Sequence, residues 1–405
     1  MAGGSFGGGT GAELDPYLIE DAADLDAVRN NLSAHYKQIA DIDLESWGNW
    51  EPIGNYYTTI EGDLYEEHEF NGIYNGNGYK IKKLKAMRTG SNSYITKDGR
   101  DWIWDHSGLF GVVEGQIRNL IVIDSECGAT GNGSCGGIVG SLGGLVENCS
   151  FDGAIKYGYW TGGLVGVSFG VVLNSFTSGS LASGSVAGGG FVGRASRNSI
   201  FKNCYSMMEI TGASINYSDK CATGGFGGEV SSVSTNWPYV ENCYFAGTFE
   251  ELSWFLPENP SAFWGKTYDN VVNVGGSPTY PSRLITANCY YDNEIIEYSD
   301  DHAEGKSTVE MKDINTFLPN WNIAEESLVT QDSNGWNSNY TWGIGSANDG
   351  YPFLWIDGLP PEAINIWVNK ANQFHRTEGL PPKIGGQFMK YVSCWIKKGD
   401  RFHPV

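Results

Sequence analysis

The chain has 405 residues, 56 of them glycine, with 13% aromatic side chains and a formal net charge of −21 at pH 7. Glycine at about twice its usual share, with many aromatics and few strong helix formers, excludes a helical bundle and favours turn-rich β structure. The acidity excludes nucleic acid as the main partner, because a phosphate backbone needs a basic surface.

Residues 1–12, beginning Met-Ala-Gly-Gly-Ser-Phe, read as a flexible glycine leader with no secretory signal. No run of eighteen apolar residues occurs anywhere, so no membrane span is expected. Tyr17-Leu18-Ile19 reads as a short strand. Asp21 then stands where an N-cap would, and Ala22, Leu25, Val28 and Leu32 fall at helical spacing. The spacing predicts a short capping helix over about 22–32, with residues 13–106 forming an N-terminal cap and first coils. Asp41 and Asp43 alternate with apolar residues and are expected on the outer face of a strand. Residues 87–106, which contain Trp102 and Trp104, carry no repeat and read as a loop thrown outward.

A glycine phrase then recurs: Gly108-Leu109-Phe110-Gly111, Gly136-Gly137-Ile138-Val139-Gly140, Gly162-Gly163-Leu164-Val165-Gly166, Gly189-Gly190-Phe191-Val192-Gly193 and, more loosely, Gly224-Gly225-Phe226-Gly227-Gly228. Each is followed by an Asn that opens a new apolar run: Asn119, Asn148, Asn174, Asn203 and Asn242, with Asn288 continuing the series. Punctuation of this kind predicts stacked, similar coils over 107–309. Glycine permits tight corners and close backbone stacking. The apolar residues between the glycines should point inward, and the six asparagines should form a polar ladder that fixes register. Cys149, Cys204, Cys243 and Cys289 each follow one of these asparagines and are expected as an interior column of free thiols. No spacing suggests zinc, other metals or a cofactor.

The repeat is interrupted near 214–222 and 249–283, where Trp254, Trp264 and Asp269 lie. With Trp102, Trp104 and Trp160, these aromatics could pack their loops against the coil or form a platform for sugar rings. Residues 310–358 read as a closing cap. The last segment, 359–405, is a small basic β-module. Seven cationic against two acidic side chains over 364–405 give it +5, leaving −26 on the rest. It repeats a strand-turn-strand piece 28 residues apart, with Trp367 and Lys370 in one copy and Trp395, Lys397, Lys398 and Arg401 in the other. These six are the candidate anchoring residues.

The glycine phrases, with Asp15-Pro16-Tyr17-Leu18-Ile19, Trp50-Glu51-Pro52-Ile53-Gly54 and Phe70-Asn71-Gly72, resemble the GLUG repeat of bacterial surface proteins, some IgA-cleaving peptidase precursors and phage proteins. The resemblance covers about residues 10–357, with Asn75 standing where such proteins often carry Asp. It implies an all-β fold, a right-handed parallel β-helix used mainly as a stalk or display surface. The Trp395-Ile396-Lys397-Lys398-Gly399-Asp400-Arg401-Phe402 tail resembles a strand-forming segment of phage structural proteins. Together they imply a virion protein, a tail or head fibre. Its partners would be other virion proteins, held through the C-terminal module, and a host-surface glycan or protein; a homo-oligomer is also possible.

A bacterial cell-surface adhesin is the first alternative, and a polysaccharide lyase or hydrolase on the same scaffold the second. An enzyme would need clustered carboxylates. Asp292, Glu294, Asp300 and Asp301, near His302, are the acidic candidates, and they read first as a solvated loop. No H-E-x-x-H peptidase motif is present. No catalytic residue is assigned.

Overall fold

The structure is a computed structural model. It describes residues 6–58, 65–88, 106–130, 133–182, 186–211, 222–231, 237–250, 260–267, 273–274, 277–278, 283–328, 331–332, 335–336 and 340–354, and short strands between 367 and 404. The chain divides into two compact units, 1–305 and 306–405.

In the first unit each repeat places strands in successive parallel sheets. One sheet is eighteen-stranded, one four-stranded and one six-stranded. The four-stranded sheet stacks Ser134–Gly136, Trp160–Gly162, Ala187–Gly189 and Ala222–Gly224. The six-stranded sheet runs from Phe110–Val113 to Trp264–Lys266. The long sheet is built from strands such as Val171–Ala182 and Ile200–Thr211, paired in register from Val171↔Ile200 to Ala182↔Thr211. In-register parallel pairing puts equivalent side chains in columns about 4.8 Å apart.

The glycine pairs sit between the second and third of these sheets, where backbones meet closely. A Cβ on Gly162 would stand 2.0 Å from Val165 O and 2.6 Å from Gly193 N, so no larger residue fits that corner. The aromatic of the phrase points inward and stacks. Phe191 lies 4.7 Å from Phe226, and Phe226 5.0 Å from Phe263, all three fully buried. Burying such a side chain contributes roughly 1.5–3 kcal/mol, and the column repeats that gain.

The asparagines mark a bend in the long sheet. Asn119, Asn148, Asn174, Asn203, Asn242 and Asn288 all have φ between 48° and 54°, a left-handed backbone that Asn tolerates better than other side chains. Their amides bond along the stack: Asn148 Nδ2 donates to Asn119 Oδ1 at 3.1 Å, Asn203 to Asn174 at 3.0 Å, Asn242 to Asn203 at 3.3 Å and Asn288 to Asn242 at 3.1 Å. The series begins one repeat earlier than the sequence suggested, because Asn119 Nδ2 donates to Asn75 Oδ1 at 3.0 Å.

Cys149, Cys204, Cys243 and Cys289 are buried free thiols, as are Cys127 and Cys135. Burial pushes the Cys289 thiol up to about 12 and the Cys243 thiol well above its ordinary value, so both stay protonated. The Sγ atoms of Cys149, Cys204, Cys243 and Cys289 each point at a backbone carbonyl of the preceding coil, as Cys204 does at Val172 O, 3.6 Å away.

The amino end is covered by the helix Ala22–Ala27 and a 3-10 turn, Val28–Asn30. Asp21 caps it by accepting from Ala23 N and Asp24 N at 2.9 Å, while Leu25 and Val28 are fully buried. In the second unit, Ile323–Glu325, Trp342–Ile344 and Phe353–Leu354 form a small sheet beside two short helices, with Trp321 and Trp342 packed 4.5 Å apart. Three antiparallel hairpins follow: Trp367–Lys370 with Gln373–Arg376, Lys383–Ile384 with Gln387–Phe388, and Trp395–Lys398 with Arg401–Pro404. The middle hairpin lies between the two copies read from the sequence, so the unit recurs at 14 residues, as Phe374, Phe388 and Phe402 mark. The anchoring candidates Trp367, Lys370, Trp395, Lys397, Lys398 and Arg401 all fall on its strands.

Candidate ligand-binding edge

Six connections leave the first unit along one edge. The long-sheet strands that feed them end side by side, with Ala86, Cys127, Ile155, Leu181, Ile210 and Phe249 in one register column. The strands that receive them begin side by side, with Ser107, Cys135, Thr161, Gly188 and Thr223 in another and Ser261 beside Gly224. The connections are 89–106, 130–133, 156–159, 183–186, 212–221 and 250–260. Three short ones lie in the middle of the edge and the long ones leave at its two ends. Trp102, Trp104 and Trp254 belong to long connections and lie outside the described residues, as does Asp269.

Beside the short connections an apolar patch covers the outer face of the corner. Trp160 is in register with Ala187 and Ala222, and the indole packs with both and with Val167. Two alanines give the ring room to lie across the stack. Its Nε1 donates to Glu229 Oε1 at 2.7 Å, and the Arg194 guanidinium lies 4.5 Å above the ring. Arg194 also stands 3.3 Å from Glu229 Oε1 and donates to Ser231 Oγ at 3.0 Å. Tyr159 meets the indole edge-on at 4.6 Å. Arg194, Glu229 and Lys266 follow Val167 along one register column, so the patch is apolar on one side and lined by alternating charges on the other. Packing of a cation on a Trp face is worth about 0.5–2 kcal/mol, which makes this a rigid platform.

Trp160 is 5% exposed and holds a guanidinium on one face, so its ring is a foundation of the edge and no open stacking surface. Trp264 requires a larger correction. It is 1% exposed, in register with Gly227 on the inward side, and its ring fills the space that the missing side chain leaves. The stretch 249–283 is therefore two connections divided by a strand, and the second, 267–284, leaves from a different edge.

The acidic candidates separate as well. Asp292 is fully buried and accepts from Glu294 N at 3.0 Å. Asp300 Oδ2 accepts from Phe263 N at 3.0 Å and Trp264 N at 2.7 Å, standing in for the carbonyls of a following strand. Burial raises its carboxyl above the ordinary range, against the pull of those N–H groups. Asp43 is exposed on the strand Ile42–Asp43, and Asp41 pairs with Lys82 at 2.8 Å. Among the described residues no group of three or more His, Cys, Asp or Glu is placed to hold a metal ion. Arg194 and Glu229 were not singled out in the sequence; the signal available was their common position directly after the closing glycine of a repeat, Gly193 and Gly228.

No family model matches the chain. Over 157 residues it is 35% identical to a provisionally named Gly-rich membrane protein of Evansella cellulosilytica, a match covering 36% of this chain and 16% of that protein. Over 171 residues it is 32% identical to halomucin of Haloquadratum walsbyi, covering 39% of this chain and 2% of halomucin. The chain thus spans a small part of the length of both curated relatives. Among solved structures, a provisionally named immunoglobulin A1 protease from Bacteroides ovatus superposes with a TM-score of 0.56 at 20% identity, over 88% of this chain and 96% of that one. That likeness concerns the fold. No helix among the described residues is long and apolar enough to cross a membrane.

Proposed function

We propose that the repeats close into a right-handed parallel β-helix of the GLUG type that serves as a non-enzymatic display scaffold on a virion, a tail or head fibre. One strand per repeat in each of successive parallel sheets supports closure; an experimental structure with open or left-handed repeats would overturn it. The observation that carries the functional reading is the common edge. Six connections anchored in register place the long segments 89–106, 212–221 and 250–260 on one side of a rigid wall. Such loops can vary while the wall stays fixed, the usual division between scaffold and recognition. The ligand class we infer is a host-surface glycan, because the sequences of the long connections carry Trp102, Trp104 and Trp254 among acidic and amide residues.

The test is direct. Replacing 89–105 and 251–259 by short glycine-serine links should abolish binding to the host surface glycan and leave the melting temperature within a few degrees. Undiminished glycan binding would overturn the assignment of the edge. New reducing ends or unsaturated sugars on incubation with host capsule would make the protein an enzyme. A second reading, a cell-surface protein of a prokaryote, draws on the two relatives, one named a membrane protein and one a halomucin. Neighbouring genes for capsid and tail proteins favour the first reading, and cell-wall fractionation of the native protein favours the second.

A further inference from the structure

The outer face of the long sheet carries two register columns that belong neither to the core nor to the ligand edge. The first runs Ile73, Gln116, Leu145, Val171, Ile200, Tyr239 and Ile285 on consecutive strands. Two residues along the same strands, the second runs Asn75, Arg118, Glu147, Leu173, Lys202, Glu241 and Ala287. Between the columns the side chains point into the core, as fully buried Ile117, Val146, Val172, Phe201 and Val240 do. Ile200 and Ile285 are 37% and 44% exposed, and neighbouring Phe169 is 45% exposed. Half-buried and exposed aliphatic residues, interrupted by Gln116 and Tyr239, in one column on an outer sheet face mark an interaction surface.

The charges say what fits it. Between uncharged Asn75 and Ala287, the second column reads plus, minus, Leu, plus, minus in stack order, and reversing it gives minus, plus, Leu, minus, plus. The column is its own complement when turned end for end. We infer that this face binds a second copy of this chain, about a two-fold axis lying between the faces and parallel to the strand at 171–173. Such an axis keeps strand direction and reverses stack order. Arg118 then meets the other copy's Glu241, Glu147 meets its Lys202, and Leu173 meets Leu173. The same operation sets Val171 on Val171, Leu145 on Ile200, Gln116 on Tyr239 and Ile73 on Ile285, so apolar meets apolar and amide meets phenol.

One further observation agrees. A copy laid on in the same stack order would reverse strand direction and set the charged column on the apolar one, Glu147 on Leu145 and Lys202 on Ile200, leaving the charges without partners across the interface, so charge favours the reversed arrangement. Within one chain Arg118 lies 3.8 Å from Glu147 and Lys202 2.8 Å from Glu241, and the dimer joins each pair to its equivalent.

The face is narrow, roughly 10 Å by 30 Å over seven strands, so association belongs at the weak end of specific interfaces. Sedimentation velocity of the full chain at roughly 0.1–1 mM should show a monomer–dimer equilibrium. K202E and E147K should each weaken it by about tenfold or more, because each opposes like charges across the axis. The double variant K202E/E147K should return close to the parent value, although its contacts within the chain are worse than in either single variant. Circular dichroism of all three checks that the fold is kept. In a C221S/C394S background, oxidised L173C should cross-link to itself and L145C should not, whereas L145C mixed with I200C should. A parent chain monomeric throughout, a double variant no better than the singles, or self-linked L145C would each overturn the proposal.

Discussion

At the scale of single residues, two side chains do work that their neighbours cannot. Asn203 holds a backbone φ of 54° and both donates and accepts within the amide ladder. Asn203→Ala loses two amide bonds and puts in the left-handed region a residue without the short polar side chain that lets Asn tolerate it, for a total of about 2–4 kcal/mol. Asn203→Gly relieves the backbone but not the ladder, so it should recover roughly 1 kcal/mol of that loss. Urea midpoints of the two variants separate the contributions; equal midpoints would show that the backbone conformation matters little. His106 acts through its protonation. Its Nδ1 lies 2.5 Å from Ser134 Oγ in a buried site, and burial lowers its pKa to about 4. The unfolded chain takes up that proton near its ordinary value and the folded chain does not. Stability from this group is therefore complete above pH 6.5 and lost as pH falls towards 4, by about 2 kcal/mol at pH 5. His106→Asn should flatten the difference in unfolding free energy between pH 7.5 and pH 5; an unchanged slope would assign the acid sensitivity elsewhere.

Elements show where sequence reasoning succeeds and why it stops. The Asn-Cys phrases were legible because a left-handed bend admits few residues and an interior column next to it admits only small ones. The capping helix was legible for a similar reason, since Asp21 and the buried Leu25 and Val28 follow helix chemistry. The strand Trp264–Lys266 was not. Its repeat reads Ser261-Ala262-Phe263-Trp264-Gly265, with the glycine pair replaced, so a core strand passed for a loop. The residues kept were the inward Phe263 and the corner Gly265, whose Cβ would lie 2.7 Å from Gly228 O. Nor could sequence show that Asp300, 36 residues on from Trp264, ends that sheet. Asp300→Ala leaves three backbone N–H groups, of Phe263, Trp264 and His302, without this acceptor, costing about 1–3 kcal/mol for each that water cannot reach. Hydrogen exchange should quicken at Trp264 and Phe263 while Phe191 stays protected; unchanged exchange at Trp264 would remove Asp300 from this role. Because burial raises its pKa, the folded chain holds this proton more tightly than the unfolded one. Stability from Asp300 therefore falls as pH rises from 3.8 through its folded value, opposite in sign to His106.

For the whole molecule, the charge division bears on the C-terminal module. The first 363 residues carry −26 and the last 42 carry +5, with six of the seven cations on the strands of three hairpins spaced 14 residues apart. An isolated two-stranded hairpin is marginal in water, and three similar ones give a repeated basic surface that a partner would stabilise. That partner should be acidic, and the contact should weaken with salt. Solenoid repeats draw their stability from neighbouring repeats, so the first unit does not need the module in order to fold. Deleting 360–405 is thus expected to leave a cooperative melt, with Asn203→Ala destabilising the shortened chain as much as the full one. The same deletion should abolish incorporation into particles. Replacing Lys370, Lys397, Lys398 and Arg401 by Gln should reduce incorporation in proportion to the charge removed, and raised salt should do the same to the parent chain. Normal incorporation of the deleted chain would place the attachment in the first unit, and a salt-insensitive contact would assign it to the hairpins' apolar residues instead of their charge.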